Sequence, residues 1–221
     1  MMDGKCPQTG EECLATFFRR YPDMVSCERE VRAARKKLLD AFKGGHKLMI
    51  CGNGGSAADS EHAVGELMKS FRFKRPVDDG FKAAYREANG CDAPAWLEGA
   101  LPAISLVSQT ALSTAFGNDE AAVGVFAQQV LGYGESGDVL LTISTSGNSA
   151  NVVEAVKVAR AKGVKVIALT GSKESKLSAL ADVCVRVPRE ETFQVQELHL
   201  PVYHVLCAAV EADVFGEASQ Q

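Results

Sequence analysis

Five short apolar runs punctuate the chain: KLMICG (47–52), AISLVS (103–108), DVLLTIS (138–144), VKVIALTG (164–171) and VCVRVP (183–188). They are apolar runs rather than alternating patterns, so neither face of such strands is meant for water. Helical patterns separate them. Residues 26–43 place Val31, Ala34, Leu38 and Leu39 at helical spacing, with Ser26 as N-cap and Gly44-Gly45 as the stop. Further helices are expected from near Ser56, over 119–132, from Ser149 to Gly163, over KLSALA (176–181) and over 193–215. This alternation predicts an α/β fold. It is doubly wound, with a central parallel sheet flanked by helices, an N-terminal helix and a long C-terminal helix.

The chain of 221 residues is read as a single domain. A helical N-terminal extension covers about 1–45. Residues 71–102 mix charge, Gly and Pro around one short helical candidate (80–88), and read as an insertion. Hydrophobic residues make up 46% of the chain, enough for a core, and the net charge of −4 carries no basic footprint for nucleic acid. The seven cysteines are irregularly spaced, with no disulfide framework and no CxxC pair. Cys51, Cys184 and Cys207 sit in apolar runs and read as buried thiols. The opening residues lack a signal-peptide core, and no stretch approaches the roughly 18 apolar residues of a membrane span. A reduced, cytoplasmic protein with no membrane or nucleic-acid partner is expected.

The first strand runs into CGNGGSAADSEHAVGEL (51–67). Gly52-x-Gly54-x-x-Ala57 has dinucleotide-fingerprint spacing, but the acidic residue that fingerprint needs about 20 positions on is replaced by the basic KSFRFKRP. No Lys follows the glycines, which excludes a Walker A loop. A second strand-to-helix turn, STSGNS, carries Ser144, Thr145, Ser146 and Ser149. A helix start attracts anions, and the hydroxyls add donors. One hydroxyl would suffice as an N-cap, so four favour a phosphate site.

The chain has four histidines. His62 and Glu66 are i,i+4 and share a helix face, as a surface pair, a chelate or an acid–base couple. His199 and His204 lie in VQELHLPVYHVL, and His46 reads as surface.

In this order and on these elements, GNGGS, STSGNS and QELH resemble the sugar isomerase (SIS) domain family, and within it the phosphoheptose isomerases. The likeness runs through most of residues 30–212. It implies an enediol isomerisation of sedoheptulose 7-phosphate to D-glycero-D-manno-heptose 7-phosphate. Asn53, Gly54, Gly55 and Ser56 would contact substrate in the first turn. Asn118 and Asp119 would hold sugar hydroxyls, and Ser144, Thr145, Ser146 and Ser149 the phosphate. His62, Glu66, Gln196 and His204 match the family's zinc ligands, with Gln196 also at the substrate. Glu66 and His204 match its base and acid. The resemblance further implies a homo-oligomer, a tetramer with active sites at subunit interfaces.

Gln196 and His204 are eight residues apart. On a continuous helix that is about 12 Å of rise and roughly 80° of rotation. Both reach one zinc only if Gln196 lies in an irregular first turn or the site spans two subunits. Two other functions stay open: a non-catalytic SIS protein that binds sugar phosphate or the initiator DnaA, and an isomerase of another sugar phosphate. Within the insertion, Arg72, Lys74, Arg75 and Lys82 read as a solvated basic face or a second phosphate contact. Phe17, Phe18 and Tyr21 read as core.

Overall fold

In the computed structural model, which describes residues 9–216, the strand Leu48–Gly52 (β1) is buried at every position. The reason is visible in its side chains. Leu48 and Ile50 enter one apolar cluster, while Met49 enters another on the opposite face, as the two-residue period of a strand requires. Val139–Ile143 (β3) and Lys165–Thr170 (β4) divide in the same way: Leu141 and Ile167 face one core, Leu140 and Val166 the other. Ala103–Ser105 (β2) and Val183–Arg186 (β5) are the edges. All pairs are parallel, in the order β2-β1-β3-β4-β5.

Helices cover both faces. The first core is closed by Gly10–Arg20 (α1), Glu28–Lys43 (α2), Gly55–Met68 (α3) and the long Thr192–Phe215 (α9). Phe17 and Phe18 of α1 are buried in it, as the sequence predicts. The second core lies under Val125–Tyr133 (α6) and Ala150–Ala161 (α7), with Leu177 of Lys176–Leu180 (α8).

Several expectations need correction. Ser26 does not cap α2: it lies in a 3-10 turn, Pro22–Cys27, and its hydroxyl donates to the Asp23 carbonyl. The helix expected over 119–132 is broken. Thr110–Phe116 (α5), which carries no charged residue to mark it, leads through a π turn (Gly117–Ala121) and a 3-10 turn (Ala122–Gly124) into α6. Cys184 is only half-buried because β5 is an edge strand. Cys51 and Cys207 are buried, and burial pushes both thiols up to about 12. The six described cysteines are free, and Cys6 lies outside the described residues. Among the described residues one stretch does reach the length and hydropathy of a membrane span, namely α9. Its apolar window is 67% buried within the protein because it is the central helix of the first core.

The insertion is narrower than residues 71–102. Phe73, Arg75 and Leu101 are buried, and Gly99 N–H donates to the Arg75 carbonyl at 2.7 Å. Pro76 and Glu98 pair as an antiparallel bridge at its base. Beyond that bridge stands Asp79–Asn89 (α4), capped by Asp78 and ended by Gly90, with no buried residue. Trp96 follows it, 77% exposed. The four basic residues of 71–102 form no single face: Arg72 donates to Cys13 Sγ at 3.0 Å, Arg75 is internal, Lys74 pairs with Glu98, and Lys82 pairs with Asp79.

Candidate functional site

The chain leaves β1 to build β2 on one side and returns to build β3 on the other. That makes a switch point between the carboxyl ends of β1 and β3, where open α/β sheets bind ligands. Both motif turns lie there. Gly54 sits at φ +57°, ψ −122°, a conformation open to glycine, and starts α3. A Cβ on Gly55 would stand 2.7 Å from Gln196 Nε2, so α9 approaches the first turn of α3 through a missing side chain. Ser56 is buried, and its N–H donates to the Asn53 carbonyl at 3.0 Å.

The hydroxyl turn faces this one. Ser144 Oγ and Ser149 Oγ are 3.0 Å apart. Ser149 occupies the N-cap of α7 but makes no side-chain capping bond, so its hydroxyl is not spent on the helix. Ser146 Oγ accepts from Asn148 N–H at 3.2 Å, and Gly147 turns the chain at φ +64°. Asn53 and Asn151 join the two turns by a reciprocal amide pair, each Nδ2 donating to the other's Oδ1 at 2.9 Å. Asn151 is a site residue the sequence reading missed. Its position, two after Ser149, is the one signal for it.

A second cluster lies further along α3. The ligand atoms of His62, Glu66 and His204 all lie within 4.8 Å of one another. His62 Nε2 is 3.2 Å from Glu66 Oε1, and the His62 and His204 rings meet edge-on with centroids 4.9 Å apart. His62 Nδ1 lies 2.9 Å from Tyr203 Oη, which also donates to Asp59 Oδ1 at 3.3 Å. Burial raises the Asp59 carboxyl and the Tyr203 phenol. Asp59 and Tyr203 were missed as well, although Asp59 precedes His62 by one helical turn and Tyr203 adjoins His204. Burial, reinforced by His62 nearby, lowers His204 below the ordinary imidazole range. The shift favours the neutral ring.

The donor set fits a divalent ion. His204 Nε2 is buried with no hydrogen-bond partner among the described residues. When Tyr203 donates its one proton to Asp59, it accepts from His62 Nδ1–H. That leaves the Nε2 lone pair facing Glu66, two acceptors that only a proton or a cation reconciles. Two imidazoles and a carboxylate are zinc ligands by type.

Other expected site residues are not brought to this cluster. Gln196 lies beside Gly55 on an α9 that is helical from Thr192, so the irregular first turn that could have carried it to His204 does not exist. Asn118 and Asp119 are exposed on the π turn after α5, with Asn118 Nδ2 donating to Asp119 Oδ1 at 2.8 Å. His199 is fully buried, and neither ring nitrogen has a hydrogen-bond partner within normal geometry among the described residues. Burial pushes it down to about 4.

The SIS-domain family model matches residues 24–99 and 98–171. The phosphoheptose isomerase of Rhodospirillum rubrum is 39% identical over 204 residues, which are 92% of this chain and 93% of that protein. The phosphoheptose isomerase of Akkermansia muciniphila is 36% identical over 89% of this chain and 92% of its own length. The structure of phosphoheptose isomerase from Neisseria gonorrhoeae superposes with a TM-score of 0.69 at 34% identity, covering 91% of this chain and 97% of that one.

Proposed function

The chain belongs to the SIS-domain family, and we propose that it is a phosphoheptose isomerase, interconverting sedoheptulose 7-phosphate and the aldose D-glycero-D-manno-heptose 7-phosphate. The observation that carries this reading is the convergence of Glu66 and His204, from two different helices, on one point. A chain that only bound sugar phosphate would have no use for a carboxylate and an imidazole so placed.

The phosphate docks at the switch point. The N-terminus of α7 and the hydroxyls of Ser144, Thr145, Ser146 and Ser149 meet its charge. Asn53, Gly54, Gly55 and Ser56 shape the facing wall, Gln196 sits behind it, and Asn118 and Asp119 supply groups for sugar hydroxyls. Binding energy from this remote group holds the reacting carbons. Glu66 takes a proton from C1 of the ketose, and the electron pair forms the enediol double bond. His204, a neutral donor, gives a proton to the C2 oxygen. Glu66 returns its proton to C2, and the O1 proton goes to His204, which restores both groups. A zinc ion held by His62, Glu66 and His204 would supply a Lewis acid for the sugar oxygens. At Nε2, His204 either ligates the ion or serves the substrate oxygen, so the two roles exclude each other at that atom.

The working form is a cytoplasmic homotetramer. The separation of Gln196 from His204 supports sites completed at subunit boundaries, where a partner's Gln can reach the cluster. The test is turnover of sedoheptulose 7-phosphate, measured with added zinc and with chelator. Glu66→Gln should lower kcat by at least about a hundredfold. Near-normal turnover in that variant would sink the assignment.

A further inference from the structure

Just before the insertion, Arg75 enters a buried ion pair to which the proposed reaction assigns no role. Arg75 is 1% exposed, and its Nε donates to Glu211 Oε1 at 2.8 Å. Its other two nitrogens reach into α3: Nη1 donates to the Leu67 carbonyl at 2.6 Å and Nη2 to the Glu66 carbonyl at 2.9 Å. These carbonyls belong to the last turn of α3, which ends at Met68 and leaves them without intrahelical donors. The guanidinium therefore closes the end of the very turn that carries Glu66, with its charge at the negative pole of the helix. The Phe215 ring lies against it at 5.2 Å.

Glu211 is also held by the backbone. It accepts from the N–H groups of Phe71 at 2.8 Å and Phe73 at 3.5 Å on Oε1, and of Arg72 at 2.9 Å on Oε2. It stands seven residues after His204 on α9, so the two share a face. The segment that Glu211 holds also lays Phe71 against the His204 ring, with centroids 5.7 Å apart. One ion pair thus ties the backbone of Glu66 to the helix that carries His204.

We infer that the Arg75–Glu211 pair is a positioning device that sets the Glu66 carboxylate against His204 for proton transfer. The inference rests on the isomerase reading. The attraction between the two charges is a weak reason for such a pair, because well-packed apolar residues in place of buried charges are often neutral or stabilising. The backbone groups that the pair satisfies give it a structural share. Registry between two helices gives it a further one, because misplacing a reacting group by about 1 Å can cost a hundredfold in rate.

The test replaces both partners by apolar residues, Arg75→Met with Glu211→Leu, in the full chain. The double variant removes a donor from the Glu66 and Leu67 carbonyls and the acceptor of the Phe71 and Arg72 N–H groups, so its melting temperature should fall. The folded protein should keep its KM for sedoheptulose 7-phosphate within about threefold, because the phosphate turn is untouched. Its kcat should fall by about tenfold to a hundredfold. A purely structural pair would not divide kcat from KM in this way, and wild-type kcat in the folded double variant overturns the inference. Arg75→Lys covers the case in which the double variant fails to fold. It keeps the charge on Glu211 but cannot serve both carbonyls, so kcat should again fall at constant KM, and an unchanged kcat again overturns the inference. Absence of turnover in the wild type would instead defeat the isomerase reading. The crystal structure of whichever variant folds then decides alone. A displaced Glu66 carboxylate relative to His204 supports the positioning role, and an unmoved one refutes it.

Discussion

Ser149 separates binding from stability at a single residue. Its hydroxyl stands at a helix N-cap yet bonds Ser144 rather than the helix, so its removal costs α7 little. Ser149→Ala should leave the melting temperature nearly unchanged while raising KM for the sugar phosphate about tenfold, the loss of one hydrogen bond to a charged group. A normal KM would move the phosphate elsewhere. Arg75 shows the limit of reading residues singly. A basic residue between Lys74 and Pro76 looks solvated, and nothing local says otherwise. Its partner lies 136 positions away, so only the tertiary structure brings the two together.

At the scale of elements, the insertion beyond the Pro76–Glu98 bridge can be tested as a unit. The bridge brings its two ends together, and α4 buries nothing. Replacing residues 78–96 with a short Gly-Ser turn should keep the melting temperature within a few degrees. A large loss of stability would mean that α4 packs in the assembly, and sedimentation of the same variant reports the oligomer directly. The strands and most helices were legible because doubly buried parallel strands are continuously apolar and amphipathic helices keep their period. The segment from Thr110 to Gly124 was not. Its helix has no charged face, and the π and 3-10 turns that follow interrupt the period. The first turn of α9 was legible as helix, which is why the Gln196 difficulty could be posed from spacing and then sharpened by the structure.

For the whole molecule, His199 links stability to pH. Buried in α9, it takes up a proton only as pH falls to about 4 and below, against about 6.5 when exposed. Between those values the unfolded chain binds a proton that the folded one does not, so stability rises with pH. The contribution is complete above about pH 6.5 and is lost as pH falls toward 4, about 3 kcal/mol in all. His204, also lowered, acts in the same direction. Denaturant melts of wild type and His199→Leu between pH 7 and pH 4.5 should show a shallower slope in the variant, and equal slopes would contradict the assignment. The two cores also differ in when they can form. The second is built from residues between Met49 and Cys184, whereas the first needs α9. A ribosome delivers α9 after every strand, so Ile50, Leu141 and Ile167 lack the helix that completes their cover on a nascent chain whose other face can already close. The same helix carries His204. The chain therefore gains its second hydrophobic face and its reacting imidazole in one late step, and a folded but incomplete enzyme has no stage at which to accumulate.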